Sequence, residues 1–99
     1  MKNYDLTLAA EEDLRSIWDY SFSTWGVDQA DRYLDQIEIC FKAIGSRRVR
    51  ETPKGSLPDD VRVHHCEHHY IFWLTGDQPI IIAVLHERMD LVSRLRDRL

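Results

Sequence analysis

A run of six apolar residues at positions 80–85, four of them β-branched, is the feature that most constrains the fold of this chain. An uninterrupted apolar run of this length is typical of a strand buried on both faces, and therefore of one inside a sheet. His86, Glu87 and Arg88 follow it directly, and Asp90 is well placed to cap a following helix. We predict a central strand that delivers polar side chains to one edge of the sheet; the alternative is a strand that runs out into solvent.

Length and composition predict one small domain. The chain has 99 residues, 43% of them hydrophobic, which is enough for one core, so we predict a single domain spanning residues 1–99. No window approaches the roughly 18 consecutive apolar residues of a membrane span, and the start lacks the apolar core of a secretion signal. We therefore expect a cytoplasmic protein with no membrane contact. Cys40 and Cys66 lack the spacing of a disulfide framework, so we expect two reduced thiols.

The net charge of −4 is distributed unevenly. Residues 1–46 carry four basic against nine acidic side chains, a net −5, and residues 47–99 carry nine against eight, a net +1. A net acidic chain repels phosphate backbones, so we expect no direct, specific nucleic-acid binding and favour a protein partner. The one dense basic run is either simply solvated or a contact for an acidic partner or a nucleic acid: Arg47, Arg48, Arg50 and Lys54.

The first half of the chain changes from alternating to helical periodicity. Residues 4–8 alternate between apolar and polar side chains, which predicts a short strand at a sheet edge. Apolar residues then recur at helical spacing, with Thr7 or a neighbour to cap the helix and Gly26 to end it. Asp28 can cap a second amphipathic helix that ends at Gly45. We therefore predict an antiparallel helical hairpin.

The second half of the chain is predicted to form mostly strands. Residues 61–66 and 69–75 are typical of a strand pair, and the turn at residues 76–78 leads into the central strand. Residues 91–99 repeat leucine and arginine at four-residue intervals, which predicts a short amphipathic helix. The predicted order is β-α-α-β-β-β with a short C-terminal helix. This is an α+β fold, in which a helical hairpin packs on a small, mainly antiparallel sheet.

Aromatic residues recur along the predicted hairpin. At helical spacing they are most simply core residues, and four are expected in the core: Trp18, Trp25, Tyr33 and Phe41. Ile39 and Cys40 lie off the main apolar stripe, so they either widen the buried face or are exposed. An exposed apolar edge on this hairpin would be a partner site.

A cluster of histidines lies at the predicted strand pair. Residues 64–69 read His-His-Cys-Glu-His-His and include every ligand type that zinc accepts. Neighbours in a strand point to opposite faces, however, and no metal motif of fixed spacing is present. General acid or base chemistry by one imidazole is an alternative. A polar cross-strand ladder is the interpretation we favour, and we expect no metal.

Several motifs, together with the element order, resemble the ParE toxins of the RelE/ParE superfamily. They are Ile17-Trp18-Asp19-Tyr20, Trp25-Gly26 between the helices, and above all His86-Glu87-Arg88-Met89-Asp90 after the buried strand. The resemblance spans nearly the whole chain. It matches least well in the basic loop and at Glu67-His68-His69, where the family often has a Gly-Ser-His turn.

The resemblance implies the toxin of a type II toxin–antitoxin module. It implies a protein that poisons DNA gyrase without enzymatic activity, needs no cofactor and is neutralised by a ParD-like antitoxin. The family motif corresponds to His86, Arg88, Met89 and Asp90. Because the C-terminal segment is expected to expose basic and apolar groups, the candidates for gyrase inhibition are Arg88, Met89, Leu91, Arg94, Leu95 and Arg98. The antitoxin is placed on the hairpin and an exposed sheet edge, with the candidates Trp18, Trp25, Tyr33, Ile37 and Cys40.

Two other functions stay open at this point. One is a RelE-like, ribosome-dependent mRNA endonuclease, in which Arg62, His86 and Arg88 would supply acid–base and cationic groups. RelE-like enzymes are strongly basic and generally carry a tyrosine near the C-terminus. This chain has a net charge of −4 and its last tyrosine is Tyr70, which argues against that function. The other is a binding module that retains antitoxin contact without toxicity. His86 and Arg88 can equally be structural, pinning the tail to the sheet.

Overall fold

The computed structural model describes residues 2–52 and 57–99. The elements follow one another in the order β1, α1, α2, β2, β3, β4 and α3. Their bounds are β1 Asp5–Leu6, α1 Leu8–Trp25, α2 Val27–Gly45, β2 Val61–Cys66, β3 His69–Leu74, β4 Ile80–His86 and α3 Leu91–Arg96. The predicted α+β fold and its order of elements are confirmed.

The sheet has the strand order β1-β4-β3-β2. β4 pairs parallel with β1 and antiparallel with β3, and β2 and β3 form an antiparallel hairpin. Residues 81–85 are each at most 3% exposed. The prediction of a central strand buried on both faces is therefore confirmed.

The two long helices begin and end at residues that satisfy their free backbone groups. The Thr7 hydroxyl accepts a hydrogen bond from the Ala10 backbone N–H at 3.1 Å and caps α1 as predicted. Gly26 ends α1 with φ of +93°, a conformation that favours glycine. Since this one residue reverses the chain, α2 begins at once, and Asp28 lies inside its first turn. The prediction that Asp28 caps α2 is wrong.

Each face of the sheet has its own hydrophobic cluster. The helical hairpin covers one face, where the buried residues include Ile37, Phe41, Ile44, Ile71, Trp73 and Ile81. The opposite face is covered in part by Leu95 of α3, and its buried residues include Val61, Val63, Phe72, Ile82 and Leu85. Alternation along the strands supplies side chains to both faces, so even the short α3 helix takes part in the core.

A disulfide joins Cys40 of α2 to Cys66 at the end of β2. The expectation of two reduced thiols is therefore wrong. The two residues are 26 positions apart in sequence, and their Cα atoms lie 6.7 Å apart in the folded chain. Only the packing of a helix on a strand brings these cysteines together, and a spacing in sequence does not reveal it.

Exposure on the hairpin differs from the prediction at Trp25. Phe41 is buried as expected, and Trp18 and Tyr33 are half-buried, but Trp25 is 63% exposed. Trp25 is the last residue of α1 and packs edge-on against Tyr20, with their ring centroids 6.1 Å apart, instead of entering the core. Among residues 2–52 and 57–99, no helix is both long and apolar enough to cross a membrane.

Candidate functional site

Residues 87–90, which we call the tip, connect β4 to α3 at the surface. The Met89 backbone N–H donates to the His86 carbonyl at 2.9 Å, and the Arg88 backbone N–H donates to His86 Nδ1 at 3.1 Å. The Arg88 side chain is exposed and forms no ion pair with another described residue, and Met89 is 44% exposed. The tip therefore presents a cation beside an apolar side chain.

Two imidazoles hold the carboxylate of Glu87. His65 Nε2 donates to Oε2 at 3.0 Å and His68 Nδ1 donates to Oε1 at 3.1 Å. Hydrogen bonds from His68 and then His65 lower the pKa of Glu87. His65 also stacks on its cross-strand partner Tyr70, at 4.6 Å between ring centroids. The predicted polar ladder is therefore present, and it extends to the tip.

No three histidine, cysteine, aspartate or glutamate side chains in the described parts of the chain are arranged to hold a metal ion. The one buried histidine of the cluster is His69, which is 8% exposed. Its Nδ1 lies 2.6 Å from the hydroxyl of Tyr33, which also accepts from the His68 backbone N–H at 3.2 Å. The tautomer of His69 determines whether the hydroxyl donates to Nδ1 or accepts from it.

This Tyr33–His69 pair is uncharged at neutral pH. Burial, and then the neighbouring His86 and His68, lower the pKa of His69 to about 4. Burial also raises the pKa of Tyr33. The pair ties α2 to β3, so its role in the described structure is packing and polar satisfaction.

Helix α3 is capped as predicted. The Asp90 carboxylate accepts from the backbone N–H of Ser93 at 3.3 Å and from its hydroxyl at 2.8 Å. These bonds lower the pKa of Asp90. Leu95 faces the sheet and is 6% exposed, because α3 covers the second sheet face.

Asp13 and Arg98 close the free edge of β4. Arg98 donates to both carboxylate oxygens of Asp13 at 2.8 Å, and its Nη1 also donates to the carbonyl of Ile82 at 2.9 Å. Asp13 Oδ2 accepts in turn from the Val84 backbone N–H at 2.9 Å. Because β1 has two residues, it leaves these peptide groups of β4 without a strand partner. The ion pair satisfies them instead.

The six candidates for gyrase inhibition are therefore not equally accessible. Arg88, Met89 and Arg94 are exposed, Leu91 and Arg98 are half-buried, and Leu95 is buried. The expectation of an exposed basic and apolar tail is wrong for Leu95 and Arg98, since one packs on the sheet and the other pairs with Asp13. Within the family motif, His86 and Asp90 shape the backbone, whereas Arg88 and Met89 face solvent.

The five antitoxin candidates differ in the same way. Trp25 is largely exposed, and half-buried Trp18 donates from Nε1 to Asp31 at 2.9 Å. Ile37 has no exposed surface, so the prediction that it contacts the antitoxin directly is wrong. Cys40 is bonded to Cys66. Ile39, for which the sequence left exposure open, is 58% exposed, and the exposed apolar residues that sequence reasoning did not select include Tyr20, Phe22 and Val27. Their positions off the apolar stripe of each helix were the sequence signal that could have predicted their exposure.

The three candidates for endonuclease chemistry do not meet. Arg62 pairs with Trp73 across the β2–β3 hairpin, whereas His69 and His86 pair at the other end of the sheet. Arg62 is bound to Glu51 at 3.1 Å. In the basic run, Arg47, Arg48 and Arg50 are exposed, and Lys54 lies outside the described residues. The structure therefore separates Arg62 from His86 and Arg88.

Comparison with known proteins identifies relatives of this chain by sequence. Residues 4–91 match the family described as the ParE toxin of the type II toxin–antitoxin system parDE. Toxin ParE of Escherichia coli is 40% identical over 100% of this chain and 98% of its own length. Toxin ParE1 of Caulobacter vibrioides is 33% identical over 96% of this chain and 99% of its own.

The fold has a counterpart among solved structures. A chain from the chromosomal ParDE TA system of P. aeruginosa superposes with a TM-score of 0.72 and 19% identity, over 87% of this chain and 96% of that chain. The sequence matches and the shared fold lead to one conclusion: this chain belongs to the ParE toxin family of type II toxin–antitoxin systems.

Proposed function

We propose that this protein acts as a toxin by binding and inhibiting DNA gyrase, without catalysing a reaction itself. The observation that carries the proposal is the tip, which presents Arg88 and Met89 at the end of a rigid buried strand. A cleaved DNA–gyrase intermediate offers both phosphate groups and protein surface. The guanidinium of Arg88 has no ion pair among the described residues, and beside the flexible thioether of Met89 it suits contact with both.

The distribution of polar groups supports a non-enzymatic mode of action. Cleavage of RNA needs a base, an acid and cationic groups around one phosphate. His69 of the close Tyr33–His69 pair is buried in the protein, and Arg62 lies far along the sheet from His86. The net charge of −4 also disfavours a long RNA contact.

We further propose that a ParD-like antitoxin binds the outer surface of the helical hairpin. Trp25, Val27 and Ile39 expose apolar surface there, and residues 1–46 carry a net charge of −5. An amphipathic segment with basic residues would bury this apolar area and complement the charge. The solved structure with this fold comes from the chromosomal ParDE TA system of P. aeruginosa, which supports a partner of this class.

A plasmid cleavage assay tests the gyrase proposal. Purified protein is incubated with gyrase and supercoiled plasmid, and linear DNA is measured after protein digestion. We expect cleavage that disappears when the antitoxin is added. Arg88→Ala should reduce it about tenfold or more, the scale of losing one charged contact of about 1.4 kcal/mol or more.

Arg48→Ala is the matched control, because Arg48 is also exposed and lies in the basic run away from the tip. Intact plasmid together with cut ribosome-bound message would replace the proposal with the endonuclease function. Intact plasmid and intact message would leave a binding module.

A further inference from the structure

The tip is attached to the β2–β3 turn through one residue, Glu87. Its carboxylate accepts from His65 and His68, and its backbone N–H donates to the His68 carbonyl at 2.9 Å. Glu67 in this turn adopts φ of +54°, and the resulting reversal brings His68 to the same carboxylate as His65. We call these three residues, His65, His68 and Glu87, the clamp.

We propose that His65 and His68 are positioning residues, which hold Glu87 and so fix the direction in which Arg88 and Met89 project toward the target. This inference rests on the proposed function, because it assigns the clamp a role at the same tip. The histidines make this contribution without touching the target.

The physical basis is preorganisation. A surface connection that is mobile before binding loses conformational freedom when it binds, and that loss weakens the complex. Two hydrogen bonds to a carboxylate restrict Glu87 in the free protein, next to the side chains that make contact. The clamp is partly solvated, with 33% of the Glu87 side chain and 71% of the His68 side chain exposed, so we expect a moderate effect.

The first measurement concerns the order of the tip in the isolated protein. The chain contains two methionines, so the methyl signal of Met89 is assigned with Met89→Leu and its order parameter is measured by NMR relaxation. We compare the wild type with the double variant His65→Phe/His68→Ala. Phenylalanine keeps a ring stacked on Tyr70 but removes the donor to Glu87.

We expect the Met89 methyl group to be more ordered in the wild type than in the double variant, because the double variant lacks both side-chain hydrogen bonds to Glu87. His64→Gln, on the same strand but bonded to the Arg50 carbonyl, should behave as the wild type. Equal order in the wild type and the double variant would overturn the inference.

The second measurement is the concentration of protein that gives half-maximal gyrase-dependent cleavage. The double variant should require about tenfold more protein, as expected for two weakened hydrogen bonds to a charged group. His68→Ala alone removes a mostly exposed side chain, so it replaces the double variant in this assay if the double variant does not fold. We expect His68→Ala to lose potency as well, by a smaller factor.

The outcomes separate the two proposals. No cleavage with the wild type rejects gyrase as the target, and with it the role of the clamp in target contact. Cleavage with equal potency in the wild type, the double variant and His68→Ala rejects the clamp and leaves the proposed function intact.

Discussion

At the scale of single residues, Asp13 shows how one carboxylate can replace part of a strand. It binds Arg98 through both oxygens and accepts from the Val84 backbone, and its side chain is 15% exposed. Removing it leaves a half-buried guanidinium and a peptide N–H without their partner. Both losses destabilise the folded state strongly, because groups taken out of water are left unpaired.

We therefore expect Asp13→Ala to lower the free energy of unfolding by about 2–3 kcal/mol. Asp19→Ala makes the same chemical change at an exposed position of α1 and should cost less than about 0.5 kcal/mol. Urea denaturation of the three proteins gives the comparison. Equal midpoints for the two variants would contradict a structural role for the Asp13–Arg98 pair.

At the scale of the elements, the disulfide fastens α2 to the end of β2. It joins two residues 26 positions apart and so restricts the unfolded chain. A hydrogen bond adds to it, because the Tyr33 hydroxyl of α2 accepts from the backbone N–H of His68 in the β2–β3 turn. The helical hairpin is therefore connected to the β2–β3 strand pair, which supports the tip, by a disulfide and by a hydrogen bond.

Reduction of this disulfide should lower the free energy of unfolding by about 3.5 kcal/mol, the chain-entropy value for a loop of this length. The measurement is urea denaturation with and without a dithiol reductant. The variant Cys40→Ala/Cys66→Ala controls for other effects of the reductant and should not respond to it. A wild type with the same midpoint in both conditions would show that the bond does not stabilise the fold.

At the scale of the whole molecule, the buried His69 makes stability depend on pH. Its pKa is about 4 in the folded protein against 6.5 for an unperturbed histidine. Between these values the unfolded chain binds a proton that the folded protein excludes. Stability should therefore fall as the pH falls from 6.5 to 4, by about 3 kcal/mol in total, and this contribution should level off below pH 4.

Thermal or urea unfolding at several pH values between 4 and 7 checks this expectation. His69→Gln removes the titrating group, so its stability should decline less steeply across this range, whereas His64→Gln should keep the slope of the wild type. Parallel curves for the wild type and His69→Gln would mean that another group causes the acid sensitivity.

The local parts of the structure were determined by the sequence alone. The apolar run at residues 80–85 predicted the central strand, Thr7 and Asp90 predicted two helix caps, and Gly26 predicted the turn of the hairpin. Each of these features depends on backbone preference, capping or burial periodicity within a few residues. Such interactions are encoded in short stretches of sequence and survive in almost any packing.

Tertiary structure decided which distant groups meet. Asp13 and Arg98 are 85 positions apart, and the sequence assigned Arg98 to an exposed tail. The Cys40–Cys66 bond and the contact of His65 with Glu87 arise in the same way, from helix-on-sheet packing and strand register. Periodicity tells which face of an element is buried, but the partner of a side chain depends on how the elements are placed against one another, and only the folded chain fixes that placement.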